Sequence, residues 1–190
     1  MIDDAEFIRG KVPMTKQEVR VLTIAKARLK PKDIVVDVGA GTGSLSIEAA
    51  KLCRKVYALE RNADAVELIN RNVEKFAVDN VEIIQSEAPR GLDLIDRIDA
   101  ALIGGSGGFL TEILNAVDER LIVGGRIVLN CITIQSVSTA LNWIQSKADY
   151  TYDAIQVQIN RLERVGRVDM AKALNPIYIV GSIKGGFKNV

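Results

Sequence analysis

The chain has 190 residues, enough for one domain whose core needs no disulfide or metal staple. Its 25 Lys and Arg against 24 Asp and Glu leave a net charge of +1, so no overall field favours a nucleic acid or an anionic membrane. It has no histidine, which removes the commonest general base, the usual zinc ligand and every Ser-His or Cys-His nucleophile pair, and with them most hydrolase chemistry.

In chain order, the acidic Asp3, Asp4 and Glu6 stand where a signal peptide would be basic and then apolar. No run approaches the ~20 apolar residues of a membrane span, so a cytoplasmic protein without membrane contact is expected. Next comes "RGKVPMTKQEVR", Arg9 to Arg20. Pro13 sets an extended approach, and Thr15 with Glu18 three residues later predicts a capping box that opens the first helix. "DIVVDVG" reads as a buried strand, "SLSIEAAKL" as a helix and "KVYALE" as a second strand, a βαβ unit from about Ile34 to Glu60. "ADAVELINRNVEKF" is the next helix, "VEIIQS" a third strand, "IDAALIGG" a fourth, "FLTEILNAVDERL" a helix and "GGRIVLNCI" a fifth strand. A helix containing Trp143 follows, then two strand-like runs, "YTYDAIQVQINRLERV" and "NPIYIVGSIKG", spaced for an antiparallel pair. The alternation predicts a doubly wound α/β domain with a mostly parallel sheet. The antiparallel ending favours the seven-stranded, Rossmann-like sheet of class I methyltransferases over a plain dinucleotide-binding fold. One domain is expected: residues 1–30 as a covering segment and first helix, 31–150 as the ligand-binding core, and 151–190 as the closing strands. Cys53 and Cys131 sit in apolar runs at no motif spacing and read as buried thiols of a reducing compartment.

"DVGAGTGS", Asp37 to Ser44, lies between a strand and a helix, where Gly39, Gly41 and Gly43 let the backbone approach a ligand. Ser44 stands where the dinucleotide fingerprint has its last glycine, and Asp37 would repel phosphates but suits an ammonium group. S-adenosylmethionine has such a group. Glu60, 17 residues after Gly43 at the end of the second strand, can accept both ribose hydroxyls. Glu87 can accept from the adenine amino group, and the Ala88 amide can meet the ring edge. Read singly, each acid could be a solvated carboxylate and the glycines a plain tight turn. Their shared place at strand carboxyl ends, the ligand-binding edge of open α/β sheets, favours the donor site. "GGSGG", Gly104 to Gly108, follows the fourth strand and faces the same crevice as an anion-binding nest, or else serves as a flexible loop. No Asn-Pro-Pro-Tyr motif stands there, which disfavours methylation of nucleobase amines.

The motifs "FIRGKVPMTKQEVR", "DVGAGTGSLSIEAA", "QSEAPRGL", "IGGSGG" and "GGRIVLN", in this order, resemble the CbiT family. These are the decarboxylating cobalt-precorrin C15-methyltransferases of cobalamin biosynthesis, matched by the C-terminal half of the fused aerobic enzyme. The resemblance runs nearly from end to end. It implies S-adenosylmethionine as the only cofactor, no protein-bound metal, a tetrapyrrole substrate rich in carboxylate arms, and a homotetramer. It implies donor contacts from Thr15, from Gly39, Ala40, Gly41, Thr42 and Gly43, and from Glu60 and Ala88. Glu60 stands where an Asp is frequent. Arg9, Lys11, Lys16, Arg20 and Arg90 become candidates for the substrate carboxylates, beside Gly104, Gly105, Ser106 and Gly107, with no catalytic acid or base named. Valine at Gly105 or Gly107 is expected to weaken the tetrapyrrole more than the donor. Trimming residues 1–16 is expected to abolish activity while the core still folds. A methyltransferase acting on tRNA or protein, and a non-catalytic module that binds S-adenosylmethionine or a dinucleotide as a regulatory ligand, are the alternatives. The first would need a basic surface or a recognition domain, and neither is evident in the sequence.

Overall fold

In the computed structural model, which describes residues 1–185, strands and helices alternate as the hydrophobic pattern predicts. The closing segment of the sequence reading extends to residue 190, so its last five positions lie outside the described residues. The elements are α1 (Gln17–Ala27), β1 (Ile34–Val38), α2 (Ser44–Ala50), β2 (Lys55–Glu60), α3 (Ala63–Lys75) and β3 (Val81–Gln85). Then follow β4 (Ile98–Ile103), α4 (Leu110–Arg120), β5 (Leu121–Cys131), α5 (Ile134–Ser146), β6 (Tyr150–Val157), β7 (Asn160–Val165), β8 (Val168–Ala173) and β9 (Ile177–Lys184). Seven strands form one sheet in the order β3-β2-β1-β4-β5-β9-β6. The first five are parallel, and β9 runs antiparallel between β5 and β6, as the closing pair of the sequence requires.

The central strands are buried on both faces, which is why β1 and β4 are near-continuous apolar runs. One face packs against α1 and α2 through Val19, Ile24, Leu45 and Ala49 over Val35, Leu102 and Val128. The other packs against α4 and α5 through Ile113, Leu114, Trp143 and Ile144 over Val36, Ile127 and Leu129. Chain order reverses between β1 and β4, so the carboxyl ends of these strands frame a crevice. Below the opposite sheet edge, buried Arg126 pairs with Asp33 and donates from Nε to the Ala27 carbonyl at 2.9 Å, tying the end of α1 to the sheet. Cys53 and Cys131 are both buried, and burial pushes each thiol up to about 11. No helix among the described residues is long and apolar enough to cross a membrane.

Three local expectations need correction. The run "YTYDAIQVQINRLERV" is not one strand. It breaks after Val157, and Asn160–Val165 turns away to pair with Val168–Ala173 in a separate two-stranded ribbon. Thr15 does not cap α1. The N-cap is Lys16, without a side-chain cap bond, because Arg20 draws in the Thr15 carbonyl at 2.7 Å and Glu18 turns outward to Arg161 at 2.7 Å. Arg20 itself is not a surface cation. Its side chain is 0% exposed and donates to Asp4 Oδ1 and the Ile2 carbonyl, both at 2.6 Å, with its guanidinium 4.7 Å from the Phe7 ring centre. The segment before α1 is therefore folded on to the body, with Ile2 and Phe7 packed on Ile47.

Candidate active site

The crevice at the strand carboxyl ends holds a cavity of about 590 Å³. The glycine loop forms its floor. Gly39, Gly41 and Gly43 have φ of +74°, +59° and +75°, the left-handed region in which a β-carbon is costly. A β-carbon on Gly39 would lie 2.8 Å from the Gly105 amide nitrogen, so the loop after β1 and the GGSGG loop after β4 touch backbone to backbone. Register explains the contact, since Val38 pairs with Ile103 and the Gly104 amide donates to the Val38 carbonyl at 3.0 Å.

Asp37 is the last residue but one of β1, at 1% exposure, and its Oδ2 accepts from Ser46 Oγ at 2.6 Å. Burial pushes its carboxyl pKa up to about 6; the Ser46 bond works against the shift, and the nearby Glu60 charge adds to it. Ser46 was not among the expected residues, although its place one turn into the helix after the loop puts it below the carboxylate. At the end of β2, Glu60 Oε2 accepts from the Gly41 amide and Oε1 from the Arg61 and Asn62 amides, each at 2.9 Å. The extra methylene relative to Asp lets the carboxylate fold back on to its own turn. One of its roughly four lone-pair sites then remains for a hydroxyl.

The sequence-derived residues gather unevenly. Thr15, Asp37, Gly39, Ala40, Gly41, Glu60, Glu87, Ala88 and Gly104 to Gly107 all line the cavity, as do Lys11 and Lys16. Thr42 and Gly43 do not. The Thr42 side chain is 1% exposed and turned inward, and Gly43 caps α2 against Ile69. Exposed Arg9 and Arg90 are also outside the lining. Glu87 is held by Arg61 at 2.7 Å, a partner the sequence did not suggest. Gly107 has φ of +56°, so a valine there would strain the loop whatever the ligand, and only Gly105 remains a clean site for that substitution. Val12 to Lys16 run across the cavity from the α1 side, and the Pro13 carbonyl sits 3.1 Å from a β-carbon built on Gly41.

These features fit S-adenosylmethionine. A buried carboxylate suits its ammonium group, a second acid with an acceptor site left suits a ribose hydroxyl, and the glycine floor keeps side chains out of the crevice. One consequence is testable. An ammonium binds the ionised form of Asp37, so falling pH should weaken the donor as Asp37 takes up its proton. Calorimetric titration from pH 8 to 5 should show constant affinity above about pH 7 and a loss approaching tenfold per unit below about 6. Asp37→Asn should bind weakly without that slope. A flat wild-type profile would show that Asp37 does not meet the ammonium.

Comparison with known proteins adds the following. Residues 6–184 match the family model described as "Precorrin methyltransferase domain". A Sulfurisphaera tokodaii protein named "Probable cobalt-precorrin-6B C(15)-methyltransferase (decarboxylating)" is 44% identical over 184 residues, covering 94% of this chain and 95% of its own. A Salmonella typhimurium protein named "Cobalt-precorrin-6B C(15)-methyltransferase (decarboxylating)" is 37% identical, with 95% of each chain covered. The crystal structure of a precorrin 8W decarboxylase from Methanobacterium thermoautotrophicum superimposes with a TM-score of 0.91 at 34% identity, over 98% of this chain and 100% of that one.

Proposed function

The chain belongs to the precorrin methyltransferase family, and we propose that it methylates C15 of a cobalt-precorrin from S-adenosylmethionine and removes the C12 acetate carboxylate as carbon dioxide, a step of cobalamin biosynthesis. The observation that carries the reading is the contact between Gly39 and Gly105, which makes the donor loop and the GGSGG loop two walls of one cavity. When bound, S-adenosylmethionine supplies an electrophilic methyl on a sulfonium that is its own leaving group. Asp37 holds the ammonium end, and Glu60 and the Ala88 amide hold the adenosine end. The backbone of Gly104 to Gly107 and the ammonium groups of Lys11 and Lys16 receive the acceptor's carboxylates. Holding a nucleophilic ring carbon in line with the methyl can contribute ~7–11 kcal/mol, so the chain needs no histidine for this step. Loss of the acetate carboxylate leaves an electron pair that the conjugated ring accepts and a proton then quenches. The protein's share of that step is positioning.

A homotetramer is part of the proposal, and the ribbon of β7 and β8 supports it. Every residue of both strands is exposed, including Leu162, Val165, Val168 and Met170. An isolated pair of strands is marginal in water, and clustered exposed apolar residues mark contact surfaces.

The reading is tested by incubating the full chain with methyl-labelled donor and cobalt-precorrin, bulk tRNA or no acceptor. Label in the tetrapyrrole together with released carbon dioxide is expected. Label in RNA alone, or donor binding without turnover, would overturn it.

A further inference from the structure

We propose that Ile132 and Ile177 form an apolar bed for one face of the tetrapyrrole ring, leaving the carboxylate arms at the ring edge for Lys11, Lys16 and the GGSGG amides. The inference rests on the function proposed above and adds to it the residues that seat the ring itself. Ile132 is 74% exposed although it directly follows β5, a central strand of the sheet. Its neighbours fix it there. Cys131 before it is buried and pairs with Tyr178 of β9, and Thr133 after it caps α5, its Oγ1 accepting from the Ser136 amide at 3.1 Å. The same antiparallel register sets Ile177, the residue before Tyr178, across from Ile132, so two branched side chains make one surface. Both line the cavity.

Charge sorts the cavity into two halves. Its acids are Asp37 of β1, Glu60 of β2, Asp64 of α3 and Glu87 beyond β3, all on the donor's side. Past β4, the sheet contributes Asn130, Ile132 and Ile177 to the lining, and no acid. Lys16 caps α1, which packs over β4, β5 and β9, so the charge that the lining adds on this half is positive. A donor with an ammonium and two ribose hydroxyls belongs among the acids. A ring with apolar faces and a rim of carboxylates would be repelled there and fits the other half. A single exposed isoleucine would mean little, but a pair that continues into the wall of a polar-rimmed cavity marks a surface that a ligand covers.

Ile132 is the residue to test in the full chain, because Ile177 also packs on the core. For Ile132→Ser, KM for the cobalt-precorrin should rise about tenfold, the effect of losing one branched aliphatic contact, with kcat within about twofold, since the bed touches the ring equally before and during reaction. Ile132→Leu keeps the apolar volume and should hold KM within about threefold of wild type. Ile132→Glu should raise KM roughly 100-fold, and by less at high salt, because it sets a carboxylate against those of the ring. In all three, calorimetric donor affinity should stay within about twofold and the ligand-free thermal midpoint should not fall, the side chain being exposed and distant from the donor's acids. A second copy of the chain is the rival occupant of this surface, so light scattering should give Ile132→Ser the same assembly size as wild type. Wild-type KM in Ile132→Ser, donor affinity lost in step with the acceptor's, or a smaller assembly overturns the inference while the proposed function stands. A wild-type chain that transfers no methyl to the tetrapyrrole overturns the function itself.

Discussion

A chain lacking residues 1–16 is expected to transfer no methyl group and to unfold with about 4 kcal/mol less free energy than the full chain. Activity goes because Lys11 to Lys16 form one wall of the cavity. Stability goes because the same segment is part of the core. Ile2 and Phe7 are 7% and 4% exposed, and burial of such side chains contributes ~1.5–3 kcal/mol each. Arg20 would also lose its bonds to Asp4 and to the Ile2 and Thr15 carbonyls, and Glu48 would lose the Ile2 amide. The deleted residues also no longer have to be ordered on folding, which offsets part of the loss in contacts and keeps the net figure near 4 kcal/mol. Urea unfolding and label transfer on the same preparations decide the matter. Unchanged stability with lost activity would reduce the segment to a cover, and full activity would make it dispensable.

Replacing Gly39 by valine should weaken donor binding at least 100-fold, about 2.7 kcal/mol. The position has φ of +74°, and its β-carbon would stand 2.8 Å from the amide nitrogen and 2.9 Å from the α-carbon and carbonyl oxygen of Gly105. Backbone cannot swing aside as a flexible side chain can, so the two loops must part. Gly105→Ala is the control across the same contact. Its β-carbon would meet the Gly39 α-carbon at 3.8 Å, an ordinary separation, and donor affinity should stay within about threefold. Calorimetry on both variants tests the asymmetry. Tight donor binding by Gly39→Val would mean that the loops are not held together as the structure has them.

The architecture could be read from the sequence because burial on both faces writes itself as apolar runs, and because ligands of such sheets bind at strand carboxyl ends. Asp37, Glu60, Ala88 and Gly104 each lie at or just beyond the carboxyl-terminal part of a strand, and that position alone brought them to one cavity. What stayed hidden depends on contacts far along the chain. The break near Gln158 has no glycine or proline, so strand-like alternation runs straight through it into the ribbon. Arg20 carries the same charge as its exposed neighbours, and only the return of Ile2 and Asp4 buries it. Its demand for carbonyls also moved the helix start from Thr15 to Lys16. Asn130 is a single polar residue at the end of an apolar run, and its partner Thr23 lies 107 positions away. No local pattern announces such a pair.

The backbone contact between the loops after β1 and β4 also bears on how the two ligands influence each other. On the function proposed above, a wall shared by both sites gives the two bindings a route to couple, and any such coupling is reciprocal. Whatever factor a seated donor adds to the acceptor's affinity by setting the position of Gly105, a seated acceptor must return to the donor through Gly39. Product release is subject to the same linkage: a methylated ring that fits the cavity less well loosens its hold on the spent donor by the same factor that the spent donor loosens the ring.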